Sequence, residues 1–171
     1  VTIDCCAYET MFAHGPDGPN GDPCGFERWH VDPATKQVTR TTTDRAPQEF
    51  PRIDARFFGQ PYRHAWVVSP PGETVSNFVA ENTLFHYDME TGQKKTHHFG
   101  EGMVGGEFIF VPESATAEEA QGWLMGLVIN MENDTTELQF FDALAIERGP
   151  TGIIHLPHRV PPGFHGNWIP D

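Results

Sequence analysis

One short pattern occurs three times along the chain, and this repeat restricts the possible folds more than any other feature. In 28–38 (RWHVDPATKQV) and 84–94 (LFHYDMETGQK), an aromatic run leads into Asp, then Thr, then a second run. This order is typical of a β-hairpin whose turn begins at Asp. A weaker copy is 138–148 (LQFFDALAIER). The three turn aspartates are Asp32, Asp88 and Asp142, which are 56 and 54 residues apart.

A second periodic set follows the hairpins. After each one, a strand and a loop lead to a polar residue beside Phe, namely Glu49, Glu107 and His165, at equal intervals of 58 residues. A period near 50 residues with about four short strands is typical of β-propeller blades, whose equivalent positions meet around one axis. Two Glu and one His from separate blades would be suited to a metal site. Chance remains the alternative, since all-β chains have similar spacings in general.

The remaining pattern is also β. Short β-branched and aromatic runs alternate with Gly, Pro, Asn and Asp clusters, as expected for strands and tight turns. The predicted strands are 65–69, 108–112, 123–130, 138–143 and 152–157. Only 115–122 (ATAEEAQG) has a helical composition, and it is too short to be more than a turn or loop. We therefore predict an all-β chain with about three propeller blades.

Composition excludes some classes of function. The net charge of −13 argues against nucleic-acid binding, which needs clustered Lys and Arg. No stretch is apolar enough to span a membrane. Cys5, Cys6 and Cys24 fit neither a disulfide framework nor a zinc spacing, so we expect idle thiols in a reducing, cytoplasmic compartment. The chain opens at Val1 in a strand-like run without a signal peptide, and we expect it to be a fragment of a longer protein.

Three longer segments together resemble the carotenoid cleavage oxygenase family, whose members include lignostilbene dioxygenases and apocarotenoid oxygenases. They are 49–68 (EFPRIDARFFGQPYRHAWVV), 105–112 (GGEFIFVP) followed by WLMGLVIN, and 155–168 (HLPHRVPPGFHGNW). Their order also agrees with the family. The resemblance extends over 1–171 and implies the C-terminal portion of a single seven-bladed propeller domain.

The resemblance implies an iron site. In the family, four histidines hold Fe(II) on the propeller axis, and three glutamates orient three of those histidines. His165 matches the last ligand histidine, while Glu49 and Glu107 match two of the orienting glutamates. The other three histidines and the third glutamate would lie upstream of Val1. The resemblance further implies that His165 has no glutamate partner, so that Glu49 and Glu107 would serve upstream histidines.

Other side chains near the tail have competing interpretations. Phe164, beside His165, would line a substrate channel or simply pack in the core, and Trp168 would anchor the tail in the core. His155 and His158 would pack near the site without binding metal. His97 and His98 are predicted at the surface or in a loop, because neighbouring strand residues point to opposite faces. Exposed positions are predicted for His14, His30 and His86.

The family resemblance implies a non-haem Fe(II) dioxygenase that cleaves a carbon–carbon double bond with O₂ to give two carbonyl products. Its substrate would be a small apolar carotenoid, apocarotenoid or lignostilbene. Peripheral membrane contact would involve upstream regions, and no nucleic-acid partner is expected. The alternative is a non-catalytic propeller fragment with an incomplete iron site, since one ligand histidine cannot hold iron tightly.

Overall fold

The computed structural model describes residues 1–10, 12–13, 23–69 and 83–169, apart from the side chains of Pro23 and Cys24. The strands in these ranges are β1 (Thr2–Tyr8), β2 (Pro23–Asp32), β3 (Gln37–Asp44), β4 (Glu49–Ile53), β5 (His64–Ser69), β6 (Thr83–Asp88), β7 (Lys94–His98), β8 (Met103–Pro112), β9 (Gly122–Asn130), β10 (Thr135–Asp142) and β11 (Gly152–Leu156). Two short 3₁₀ helices, Ala55–Phe57 and Ile146–Arg148, complete the regular structure of this part. The described ranges contain no α-helix, and no helix in them is long and apolar enough to cross a membrane.

The strands form three antiparallel sheets. The first has the order β1-β2-β3, the second β4-β5-β6-β7 and the third β11-β10-β9-β8. All five strands predicted from composition are present, and 115–122 is a loop up to the start of β9, as expected. The prediction of an all-β chain is therefore confirmed for the described residues.

The aspartate repeat marks the same place in each sheet. Asp32, Asp88 and Asp142 end β2, β6 and β10, the strands next to the outer strands β3, β7 and β11. Each carboxylate accepts a hydrogen bond from the backbone N–H two residues later, at 2.9, 3.0 and 2.9 Å respectively. This local bond turns the chain after each strand. The third connection is longer than the first two, because it contains the second 3₁₀ helix.

The main core lies between the second and third sheets. Trp66 of β5 stacks on Phe110 of β8, with ring centroids 5.2 Å apart and planes 3° from parallel. Its indole Nε1 donates to the carbonyl of Ala143 at 2.9 Å, so its one polar atom is satisfied. Buried apolar side chains in the same cluster are Phe50, Val68, Leu84, Phe108, Leu124, Val128, Phe141 and Ile146. This cluster fixes β4 and β8, which carry the two candidate glutamates.

Phe108 fixes the position of β8 especially closely. It lies opposite Gly126 in the β8–β9 ladder, and a Cβ at Gly126 would come within 2.6 Å of the Phe108 ring. Only glycine allows the ring to lie over β9 at this distance, since real Cβ contacts are not so short. The close contact holds the strand on which Glu107 precedes Phe108.

The two thiols that the structure describes are unpaired. Cys5 and Cys6 are free and partly buried in β1. Burial raises the pKa of both thiols, so they remain protonated and weakly nucleophilic. The corresponding expectations for the Cys24 thiol and for His14 lie outside the described residues.

The expectation for one histidine was wrong. His86, predicted to be exposed, is only 3% exposed and stacks on Trp66, because β6 is a central strand covered on that face. Its Nε2 lies 3.0 Å from Nδ1 of His64. His97 lies in the edge strand β7 rather than in a loop, and it is half-buried, with its ring T-shaped against Phe141 at a centroid distance of 4.8 Å. His98 is exposed, and the two neighbouring side chains differ in burial as the strand geometry requires.

Burial of His86 predicts a loss of stability in acid. Burial lowers the pKa of His86 to about 4, whereas in the unfolded chain it is near 6.5. The unfolded state therefore binds more protons between these values, and the free energy of unfolding should fall by up to about 3 kcal/mol as the pH drops through that window. His86→Phe should flatten this dependence in urea unfolding curves, while the exposed His158→Phe should not. An unchanged pH slope in His86→Phe would contradict the assignment.

Candidate metal centre

Both candidate glutamates lie at β-bulges on the first strand of a four-stranded sheet. The register of β4 against β5 shifts between Glu49 and Arg52, and that of β8 against β9 shifts between Gly105 and Phe108. A bulge interrupts the alternation of side chains and re-aims one of them. Phe50, in the first bulge, has φ of 55°, a left-handed conformation that non-glycine residues rarely adopt. Strain of this kind is concentrated at functional sites in proteins.

Glu107 is held by three donors. Its Oε1 lies 3.0 Å from Nδ1 of His165 and accepts from Nε of Arg52 at 2.7 Å. Its Oε2 accepts the backbone N–H of Gly166 at 2.8 Å. Burial of the carboxyl opposes its ionisation, but the hydrogen bonds from Arg52, Gly166 and His165 outweigh burial and lower the pKa of Glu107. The carboxylate is thus an ionised, fixed acceptor.

This contact determines how His165 can bind a metal. A carboxylate on Nδ1 favours the tautomer with the proton on Nδ1, which leaves the Nε2 lone pair available as a ligand. The His165 side chain is 72% exposed, and its ring lies nearly perpendicular to that of Phe50, with centroids 5.8 Å apart. The expectation that His165 lacks a glutamate partner was wrong, because the bulge in β8 directs Glu107 to the tail of the chain rather than away from it.

Glu49 lies near this pair without bonding to it directly. Burial disfavours the ionised form of its carboxyl, while the backbone N–H of Phe50, the hydroxyl of Tyr8 and the ring of His165 favour it. Burial raises the pKa of Glu49. The three residues spaced 58 apart therefore come together, although only Glu107 contacts His165. The role of Glu49 as a partner of another histidine stays a prediction.

Two residues of the site were missed in the sequence. Arg52 bridges Glu107 and the tail, donating from Nη2 to the carbonyl of Gly166 at 2.7 Å. Tyr8 of β1 donates to the carbonyl of Gln48 at 3.0 Å, and its hydroxyl works against the rise in the pKa of Glu49. Arg52 lies only three residues after Glu49, and this closeness in sequence was a possible signal that it belongs to the site. In a regular strand, however, side chains alternate between the two faces, and that pattern would not have predicted a contact between Arg52 and Glu107.

Phe164 lies between two small apolar cavities. One, of about 230 Å³, is lined by Phe50, Val104, Leu127, Ile129 and 160–164. The other, of about 220 Å³, also includes Leu127 and Phe164, and it reaches Glu107 and His165. Phe164 is 68% exposed, so the alternative of plain core packing is not what the structure shows. Its role in a substrate channel is untested.

The tail is not anchored by apolar burial. Trp168 is 46% exposed and Ile169 is 83% exposed, so the expectation that Trp168 anchors the tail in the core was wrong. The preceding chain is fixed where the Val160 N–H donates to Thr136 Oγ1 at 2.8 Å. Beyond that point, the polar contacts of His165 and Gly166 connect the tail to β4 and β8.

The donor set fits one corner of an iron site. A neutral imidazole oriented by a carboxylate is a suitable ligand for Fe(II). Within the described residues, however, no three His, Cys, Asp or Glu side chains are grouped to hold a metal. His155 is exposed and lies 3.3 Å from Glu137 instead, and His158 is exposed too. Any further ligands must come from residues other than these.

Comparison with known proteins agrees with the motifs. The sequence profile of the retinal pigment epithelial membrane protein family matches residues 1–170. The carotenoid cleavage oxygenase of Mycobacterium tuberculosis is 35% identical over 173 residues, which cover 99% of this chain and 34% of that protein. Lignostilbene-α,β-dioxygenase isozyme III of Sphingomonas paucimobilis is 39% identical over 128 residues, covering 70% of this chain and 26% of that protein.

The fold leads to the same group of proteins. A variant of the Synechocystis apocarotenoid oxygenase superposes with a TM-score of 0.84 at 26% identity, covering 98% of this chain and 36% of that one. The chain thus spans only about a third of the length of these relatives. The resemblance inferred from the motifs is confirmed, and the chain belongs to the retinal pigment epithelial membrane protein family, which is the family of the carotenoid cleavage oxygenases.

Proposed function

We propose that the protein containing this chain is a non-haem Fe(II) dioxygenase that cleaves a carbon–carbon double bond. In the reaction, one C=C bond and the O–O bond break, two C=O bonds form, and both oxygen atoms enter the two carbonyl products. The substrate is a carotenoid, an apocarotenoid or a lignostilbene. These substrate classes appear in the names of the relatives. The shared motifs, and the large part of this chain that aligns with those relatives, support assigning the same classes to this protein.

One observation carries the proposal: Glu107 lies 3.0 Å from Nδ1 of His165, in the arrangement that prepares the other ring nitrogen to bind a metal. His165 would be one iron ligand and Glu107 would orient it. Glu49 would orient a ligand histidine outside this chain. Bound iron would supply the activation of O₂.

The chain's apolar residues would position the substrate. The two cavities on either side of Phe164 meet the tail beside His165, and a polyene or stilbene needs such an apolar lining. Phe164 would form part of the wall of this channel. In the longer protein, once other residues cover this side of the chain, the apolar lining would also exclude water from the region where the double bond is cut.

We further propose that the three sheets are about three blades of a seven-bladed propeller, which make residues 1–171 the C-terminal part of a single domain. Three aspartates at equivalent strand ends and two glutamates at equivalent bulges support this arrangement. The inner strands β4 and β8 are also in contact. We place the protein in the cytoplasm, with any membrane contact peripheral and made by upstream regions, and expect no nucleic-acid partner at a net charge of −13.

A second candidate is a non-catalytic fragment. This candidate is favoured because His165 would be one ligand on its own: the described residues contain no group of three potential metal ligands. The two candidates differ in iron content. The dioxygenase should purify with close to one iron per chain, whereas a fragment should purify without it.

Replacement of the ligand histidine tests the proposed function directly. In the longer protein that contains this chain, His165→Ala should abolish both bound iron and double-bond cleavage, because a ligand is lost. His155→Ala is the matched control, since His155 also contacts a glutamate, but that glutamate is Glu137 rather than Glu107. Iron analysis and product chromatography provide the readouts. Normal iron content and turnover in His165→Ala would refute the ligand assignment.

The glutamate should have a weaker effect. Glu107→Gln should lower iron affinity or activity by about 10–100-fold, the usual effect of removing a carboxylate that orients a metal-bound histidine. The thermal unfolding temperature should also fall, because the largely shielded Arg52 loses its charged partner, so iron affinity is compared at a temperature at which both proteins are folded. Glu137→Gln, at the other Glu–His contact, is the control. Full iron retention and activity in Glu107→Gln would exclude the orienting role.

A further inference from the structure

Arg52 connects the strand β4 to both the orienting glutamate and the tail. Its Nε donates to Oε1 of Glu107 and its Nη2 donates to the carbonyl of Gly166, each at 2.7 Å. The side chain is 21% exposed and the carboxylate is 7% exposed, so the pair is largely shielded from water. Shielding of this degree distinguishes it from exposed ion pairs, which typically contribute little.

The peptide unit after His165 is consequently held on both sides. Glu107 Oε2 accepts the N–H of Gly166, while Arg52 donates to its carbonyl. Further along the tail, Trp168 and Ile169 are exposed, at 46% and 83%. These polar contacts therefore position His165. Glu107 holds its ring, while Glu107 and Arg52 together hold the peptide unit that follows it.

Only arginine suits this position. A guanidinium presents several N–H donors in a rigid planar fork, so Nε and Nη2 can reach a carboxylate and a carbonyl simultaneously. A lysine ammonium would keep the charge but not the fixed geometry. The bulge in β4 also matters, because it sets the face of the strand from which Arg52 extends.

We infer that Arg52 is a positioning residue that holds Glu107 and Gly166 in register, and so orients His165 before any metal is bound. The contacts themselves do not depend on iron. The consequence for iron binding rests on the proposed function. The chemistry of Arg52 is limited to hydrogen bonding and charge, since it contacts Glu107 and the backbone rather than His165 itself.

The metal-free chain provides the first test. Hydrogen exchange of the Gly166 amide and NMR relaxation of the His165 ring report the two parts of the arrangement. Arg52→Met should speed exchange at Gly166 by about tenfold or more, the scale expected for losing hydrogen bonds to charged groups, and should increase motion of the His165 ring. Arg52→Lys should fall between Arg52→Met and the unaltered chain.

The control is Arg159→Met, which removes another arginine near the tail, one that contacts Asp134 at 3.2 Å. It should leave Gly166 and the ring of His165 unchanged. Amide signals from β9 and β10 verify that each variant is folded; if Arg52→Met fails this check, Arg52→Lys is used for the comparison. Unchanged Gly166 exchange and ring motion in a folded Arg52 variant would overturn the inference.

The longer protein separates this inference from the proposed function. If Arg52 positions a ligand, Arg52→Met should lower iron affinity by at least about tenfold, on the scale of losing a partner that orients a metal ligand. Iron retained in His165→Ala would refute the proposed function while leaving the NMR result on Arg52 intact. Iron lost in His165→Ala but retained in Arg52→Met would refute the positioning role alone.

Discussion

The Glu107 carboxylate is the group on which the rest of the site depends. It accepts from His165, Arg52 and the backbone of Gly166, which come from two separate parts of the chain. Because these donors converge on one ionised group, polar contacts hold the exposed tail in a fixed position. A single carboxylate thus links the core of the β-sheets to the ring that would bind metal.

Packing behind the carboxylate makes this possible. Phe108, the next residue in β8, is buried over Gly126, and Trp66 and Phe110 stack between the two four-stranded sheets. These contacts hold β4 and β8 rigidly enough that bulges can aim polar side chains out of them. The strained backbone at Phe50 is supported by the same core. The apolar residues therefore stabilise the sheets, and the bulges in β4 and β8 set the directions of the polar side chains in the candidate metal site.

The features that could be predicted from the sequence were those that depend on its periodicity. Equal spacing of Glu49, Glu107 and His165 indicated that they would come together, since repeated sheets place equivalent residues side by side, and the turn aspartates marked equivalent strand ends. It could not predict which glutamate contacts His165, because bulges change side-chain direction without a clear sequence signal. For the same reason Arg52 was missed. Trp168 and His86 were misplaced because residue type indicates a preference for burial, while the neighbouring strands decide it.

The central claim is that His165 binds iron through Nε2 while Glu107 holds Nδ1. Anomalous X-ray scattering at the iron edge, measured on crystals of the longer protein that contains this chain, tests it most directly. The account predicts one iron peak at bonding distance from Nε2 of His165, with the Glu107 and Arg52 contacts preserved. An iron peak whose ligands exclude His165, or one bound to Nδ1 with Glu107 displaced, would contradict it.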